Sequence, residues 1–229
     1  FWASTERSSF GEIDRSYQSL LRHPLIGKIL DAMPDMVLIL NKNRQIVFCN
    51  DKLLLFLKIG IADALGRRPG DIFHCVQAEA EETGCGTSQF CRECGAVKSI
   101  LTALKNTSSV EECRIRTFRD GREEALDLRV YSEPLAIEGE NLVVFAVKNI
   151  VDEKRRESLE HTFFHDILNQ ASVAAGILEN IRDGIRPATP AVLARLHEIT
   201  LQILDEIREH RYLSAAETFR VAGDDESTA

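Results

Sequence analysis

No stretch of this chain stays apolar long enough to cross a bilayer. The nearest candidate, "LLLFLKIGIADAL", is broken by Lys58, Gly60 and Asp63, and a spanning helix needs roughly 18–20 apolar residues. Positive charge is also in short supply. The 28 Lys and Arg residues against 36 Asp and Glu leave a net charge of −8, which argues against nucleic acid or an anionic membrane surface as the main partner. The opening "FWASTERSSF" has no signal-peptide layout and no initial methionine, as expected of an internal segment, so an anchor upstream stays open. No glycine-rich nucleotide box is present, because "GRRPGD", "GCG" and "AGDD" fit neither a P-loop nor a dinucleotide fingerprint. A hydrophobic content of 44% over 229 residues still suffices for one good core, or for a small domain plus an extension, in a cytoplasmic protein.

Cysteine is locally abundant. The stretch "GCGTSQFCRECG" places Cys85, Cys91 and Cys94 among glycines, and Cys75 stands just upstream beside His74. Clustered thiols in a reducing compartment point to metal or redox chemistry rather than disulfide scaffolding. Four thiolates are the right number for an iron–sulfur cluster or for tetrahedral zinc. The Cys91-x-x-Cys94-Gly95 pair reads as a metal knuckle, in which a turn aims backbone N–H groups at sulfur and a small residue must follow. Gly84 and Gly86 allow the same close approach around Cys85. The spacing matches neither common ferredoxin pattern. An iron–sulfur cluster is favoured, with structural zinc second and a metal-free thiol switch third. His74 is a neighbour that could substitute as a ligand. Cys49 and Cys113 lie in apolar-alternating segments and are expected to be buried small hydrophobes.

The remaining pattern is mixed. Phe10, Ile13, Tyr17, Leu20 and Leu21 recur at helical spacing until Pro24. "DMVLILNKNRQIVFCN" reads as a hairpin around Asn41–Arg44, and "DKLLLFLK" as a short helix started by Asn50 or Asp51. "AVKSILTALKN" is a further helix. Then "SVEECRIRTF" and "REEALDLRVY" flank a turn at Arg119-Asp120-Gly121-Arg122, and "ENLVVFAVKNI" adds a fifth strand. An α+β domain follows, a five-stranded antiparallel sheet with helices on one face. From Val151 the pattern becomes helical, with Leu159, Phe163, Ile167, Ala171, Ala174, Leu178 and Ile181 at steps of three and four. "RDGIRPATP" breaks it, and a second helix carries Val192, Leu196, Ile199, Ile203 and Ile207. Such a hairpin, with its apolar stripe exposed, should pair with a copy of itself into a four-helix bundle.

Two resemblances cover nearly the whole chain. "ILDAMPDMVLILNKNRQIVFCN", followed by "LGRRPGDIF" and three more strands, resembles a PAS sensor domain. The long helix with "FFHDILN" resembles the dimerisation and phosphotransfer region of a sensor histidine kinase, and "KNIVDEKRRE" sits where such proteins pass into a signalling helix. The cysteine stretch falls between the second and third strands, where PAS domains typically sense, and is similar to an insertion in related PAS kinases. By resemblance, His165 matches the phosphoacceptor, Asp166 the adjacent acid that orients the imidazole and takes up its proton, and Asn169 the residue that positions water for dephosphorylation of the response regulator. The commonest form of the box has proline after that position, where this chain has Gln170. His23, His161, His197 and His210 are read as ordinary surface.

The resemblance implies this organisation: an N-terminal helical segment over 1–27, the PAS domain over 28–150, a linker helix over 151–164, the phosphotransfer helices over 165–217 and a flexible tail over 218–229. It implies a homodimer that meets a response regulator receiver domain and an ATP-binding catalytic domain, with no nucleic acid and no membrane contact from this segment. "SAAETFRVAGDDESTA" is too short for that catalytic domain, so this chain alone is expected not to autophosphorylate, although the whole protein would be a histidine protein kinase. The alternative is a non-enzymatic, zinc-stabilised PAS dimer that serves as a phosphotransfer scaffold.

Overall fold

The structure, a computed structural model, describes residues 3–119 and 122–226. The chain divides into two compact units, one ending at Asp152 and the other beginning at Glu153.

The first unit opens with α1 (Phe10–Leu21), started by a capping box in which Ser9 and Glu12 satisfy each other's backbone N–H groups. After α2 (Pro24–Asp31) come β1 (Met36–Leu40) and β2 (Ile46–Cys49). The hairpin expected there is present, antiparallel, with Arg44 at φ 63° completing its turn. Asn50 then starts α3 (Asp51–Leu57). Its fully buried amide also accepts from the Val37 N–H at 2.9 Å and donates to the Leu30 and Asp35 carbonyls, so one side chain ties α2, β1 and α3 together. Three single-turn helices follow, α4 (Ile61–Ala64), α5 (Pro69–Ile72) and α6 (Val76–Glu79), then a 3₁₀ turn at Gln89–Arg92 and α7 (Gly95–Ala103). The strands β3 (Ser109–Arg119), β4 (Arg122–Ile137) and β5 (Glu140–Asn149) complete a five-stranded antiparallel sheet of order β2-β1-β5-β4-β3. Pairing of β3 with β4 runs out to Arg119 opposite Arg122; the turn residues Asp120 and Gly121 lie outside the described residues.

Helices cover both faces of this sheet rather than one. Leu38, Leu40, Val143, Phe145 and Val147 face the core beneath α3–α7. Val37, Ile39, Val47 and Ala146 face a second core closed by Ile13 and Leu20 of α1 and Leu30 of α2. Strand β1 is apolar at every position and buried throughout. A strand with no polar side needs cover on both faces, and α1 and α2 supply it.

The second unit contains most of α8 (Val151–Arg182) and all of α9 (Pro190–Glu226), the latter extending through positions expected as a tail. Val192 and Ile199 of α9 are buried, whereas Leu159, Phe164, Leu168, Leu178 and Leu201 are exposed. Gln170 Nε2 donates to Glu206 Oε1 at 2.5 Å, and the ring of Phe163 stacks on His210 with centroids 4.0 Å apart, so His210 has a packing role rather than an ordinary surface one. No helix among the described residues is long and apolar enough to cross a membrane.

Glycines test the packing with opposite signs. A Cβ on Gly95 would stand 2.2 Å from the Glu112 carbonyl oxygen, whereas one on Gly11 meets nothing within 4 Å. Replacing Gly95 with Ala should destabilise the first unit by about 2–3 kcal/mol through overpacking, and Gly11→Ala in α1 should leave it unchanged or gain up to about 1 kcal/mol. Urea unfolding followed by circular dichroism reads both.

Candidate functional site

Cys75 precedes α6 and Cys94 precedes α7, each as the residue that opens the helix. Backbone N–H groups left free in a helix's first turn are natural donors to an acceptor at that position. Neither sulfur closes a capping hydrogen bond, but the N–H groups of Gln77 and Ala78 favour the Cys75 thiolate and those of Ala96 and Val97 the Cys94 thiolate. The N–H groups of Gly70 and Gly86 act in the same direction on Cys85 and Cys91. All four sulfurs line a single cavity of about 280 Å³. Aromatic and aliphatic side chains, among them Phe73, Val97, Leu128 and Phe145, supply most of the remaining wall, with Gln77, Glu93, Arg114 and Arg116 as its polar members.

A fifth thiol lines the same cavity. Cys113 on β3 is buried, as the alternating pattern implies, but it also lies beside Cys94 at the cavity wall. The sequence carries a faint sign of this, since Cys113 occupies an inward position of a strand that crosses beneath the cysteine stretch. Cys49, by contrast, packs in the core away from the cavity, and burial pushes its thiol up to about 12. His74 turns aside: it sits at φ 50° with Nδ1 3.0 Å from Glu79 Oε1, outside the cavity wall.

The thiols are electrostatically unequal. Hydrogen bonding from Cys113, with help from the Val97 and Ala96 N–H groups and nearby Lys98, lowers Cys94 to about 6 despite its burial. The same bond raises Cys113. Burial raises Cys75, Cys85 and Cys91. Among the described residues, no three His, Cys, Asp or Glu side chains are drawn close enough together to hold a single metal ion. The donor set has the chemistry of a thiolate-bound centre: four soft sulfur ligands in a largely apolar wall.

Two buried arginines, read from sequence only as part of polar turns, fix this arrangement. Arg68 is wholly buried. Its guanidinium donates to the carbonyls of Asn43 at 3.2 Å, Thr83 at 3.2 Å, Cys85 at 3.3 Å, Ser4 at 3.1 Å and Glu6 at 2.7 Å. Arg44 donates to Ser4 and Cys85 as well. Asp71 completes the frame by accepting from the Cys85 N–H at 2.7 Å, the Arg68 N–H and the Arg7 guanidinium. The loop between these groups is tight: Gly84 and Gly86 adopt φ of 79° and 90°, which L side chains rarely do. Burial lowers Arg68 to about 10, with Arg44 adding repulsion, so Arg68 remains cationic at neutral pH.

On α8, His165 is 62% exposed at its side chain. Its Nδ1 lies 3.1 Å from Asp166 Oδ1, and Asn169 Nδ2 lies 3.2 Å from its Nδ1 and 3.3 Å from its Nε2. With the proton on Nδ1, the ring donates to Asp166 and the lone pair is on Nε2. Asp166 and Asn169 are thus each within hydrogen-bond reach of the His165 ring.

Arg68→Lys should cost about 2–4 kcal/mol, because an ammonium has three donors for five carbonyls and the others stay buried without partners. Arg67→Lys, at an exposed neighbouring position, should stay within about 0.5 kcal/mol. Chemical denaturation of both variants provides the comparison.

Residues 25–92 match the family model described as PAS domain. Among solved structures, the chain is similar to the PAS domain of an HTR-like protein from Haloarcula marismortui, at 16% identity and a TM-score of 0.38 over 59% of this chain and 98% of that one. It is also similar to the PAS domain of nitrogen regulation protein NR(II) from Vibrio parahaemolyticus, at 17% identity and 0.38 over 55% and 98%. A PAS domain from a two-component sensor histidine kinase gives 14% identity and 0.37 over 58% and 99%. No curated protein matches. Residues 25–92 form a PAS domain.

Proposed function

We propose that this chain is the sensing and phosphoacceptor portion of a histidine kinase, in which a thiolate-held centre in the PAS unit controls phosphorylation of His165. The observation that carries this reading is the gathering of Cys75, Cys85, Cys91 and Cys94 around one cavity. That cavity belongs to a unit whose last strand passes into α8 through Ile150 alone.

The four cysteines would hold the centre. Zinc at about 2.3 Å from each sulfur requires thiols packed closely around one ion. Four cysteines around one cavity also match the ligand number of an iron–sulfur cluster, which is the centre proposed. Bound there, the cluster supplies a centre sensitive to redox state or oxygen. The buried guanidinium groups of Arg44 and Arg68, each interacting electrostatically with Cys85, offset the negative charge that four thiolates carry.

At the other end, His165 is the nucleophile. The Nε2 lone pair attacks the γ-phosphorus of a nucleotide presented by an ATP-binding domain, the N–P bond forms, and the bond to the departing nucleoside diphosphate breaks. Positive charge grows on the ring, and Asp166, 3.1 Å from Nδ1, stabilises it and takes up the Nδ1 proton. Asn169, within reach of the same ring, would position a water for the later removal of the phosphoryl group. The exposed leucines of α8 and α9 fit a homodimeric four-helix bundle, which a response regulator would approach from the His165 face.

Protein purified without oxygen should be brown, with broad visible absorption and matching iron and sulfide. A colourless protein with one zinc per chain would favour the zinc-stabilised scaffold instead. His165→Ala should abolish phosphoryl uptake from a supplied catalytic domain and leave the dimer intact by light scattering. Uptake that persists would assign the phosphate to another histidine, and uptake equal in the oxidised and reduced proteins would remove the sensing role.

A further inference from the structure

Gly70 sits inside α5 and is not at a positive φ, so its backbone conformation is open to any residue. Glycine inside a helix is disfavoured relative to alanine, and the surroundings give the reason for a bare position here. An ideal Cβ at Gly70 would stand 2.7 Å from the Cys85 Sγ, 3.0 Å from the Cys85 Cβ and 3.5 Å from the Cys75 Cβ. The Gly70 carbonyl also accepts from the Cys75 N–H at 2.9 Å. Two of the four clustered cysteines therefore pack against one glycine, and all three residues line the same cavity.

The neighbours of Gly70 hold the rest of Cys85. Arg68 donates to the Cys85 carbonyl at 3.3 Å, with Arg44 adding a second donor at 3.4 Å, and Asp71 Oδ1 accepts from the Cys85 N–H at 2.7 Å. One short turn thus meets the carbonyl, the N–H and the sulfur of a single cysteine. Carbon contacts are normally about 3.5–4.0 Å, so a side chain at position 70 would push the sulfur back by about 1 Å. Rotating the thiol does not relieve this, because the Cys85 Cβ is itself too close. The backbone behind it would have to follow, against the hydrogen bonds that fix it. Metal–ligand distances tolerate only about 0.2 Å.

We propose that Gly70 is a positioning residue for the thiolate centre: its missing side chain seats the Cys85 sulfur beside Cys75 at the cavity wall. The proposal rests on the reading of Cys75, Cys85, Cys91 and Cys94 as ligands. It gives the Arg68-Pro69-Gly70-Asp71 turn a role beyond connecting β2 to the cysteine loop. Alanine at position 70 would leave the sheet and its helices formed, with three thiols in place and the fourth displaced.

The test reconstitutes the full chain with ferrous iron and sulfide in the absence of oxygen, then measures iron and sulfide per chain and the visible spectrum. Wild type should load. Gly70→Ala should hold less iron by about tenfold or more while its far-ultraviolet circular dichroism stays unchanged. Gly11→Ala, whose added carbon meets nothing within 4 Å, should load like wild type. Gly70→Ala that loads equally, with the same spectrum, overturns the proposal. A wild-type chain that takes up no iron overturns the four-thiolate reading itself, and the proposal with it. A second measurement decides the contact without metal, even where Gly70→Ala does not fold. In the metal-free chain Gly70→Ala should lower the melting temperature or prevent folding. Beside Cys85→Gly the same substitution should cost much less, because neither the sulfur nor the Cβ remains to clash. Equal losses in the two backgrounds overturn the assignment.

Discussion

A guanidinium buried without access to water must find acceptors for its donors or destabilise the fold severely. Arg68 solves this with backbone carbonyls drawn from three separate stretches: the N-terminal segment at Ser4 and Glu6, the β1–β2 turn at Asn43, and the cysteine loop at Thr83 and Cys85. None of these stretches is a helix or strand that could satisfy its own carbonyls. Each therefore depends on the others through one side chain, and the cysteine loop inherits its shape from that dependence. Asp71 supports the same loop from the opposite sign of charge, accepting the Cys85 N–H while it pairs with Arg7.

The thiol-lined cavity is a consequence of this frame together with two close backbone approaches. Gly84 and Gly86 let the loop turn sharply enough to present Cys85, and Gly95 lets α7 begin against β3. Arg44 and Arg68 hold the cysteine loop through the Cys85 carbonyl, while the sheet contributes Leu128, Val130, Phe145 and Val147 to the cavity wall together with Arg114 and Arg116 of β3. A disturbance at the thiols has a short path to the sheet, because Cys113 is itself a residue of β3.

The continuity of β5 with α8 gives the helical region its starting point. Asn149 Oδ1 accepts from the Val151 N–H at 3.1 Å, and Ile150 is completely buried, so the residues that lead out of β5 are held within the first unit. Further along, Gln170 stands where the commonest histidine box has proline. Its backbone N–H continues the helix, and its side chain bonds to Glu206 on α9.

Much of this was legible in the residues. The β1–β2 hairpin, the Asn50 cap, the three later strands and the two long helices follow from alternation, capping chemistry and 3.6-residue spacing, which are local properties of the chain. The grouping of His165, Asp166 and Asn169 also follows locally, since residues one and four apart on a helix share a neighbourhood. The helices on the second face of the sheet were less visible, because a fully apolar strand such as β1 says that both faces are covered without saying by what. Cys113 read as inert core, and Arg44 and Arg68 as turn residues, because burial and partners are set by segments distant in sequence: Cys113 meets Cys94 only once α7 lies on β3, and Arg68 meets Ser4 only once the N-terminal segment crosses the loop. The sequence by itself determined the elements, the four clustered thiols and the histidine box. Tertiary structure alone decided which fifth thiol joins them and which charges surround them, because those contacts arise between elements whose order along the chain does not reveal their proximity.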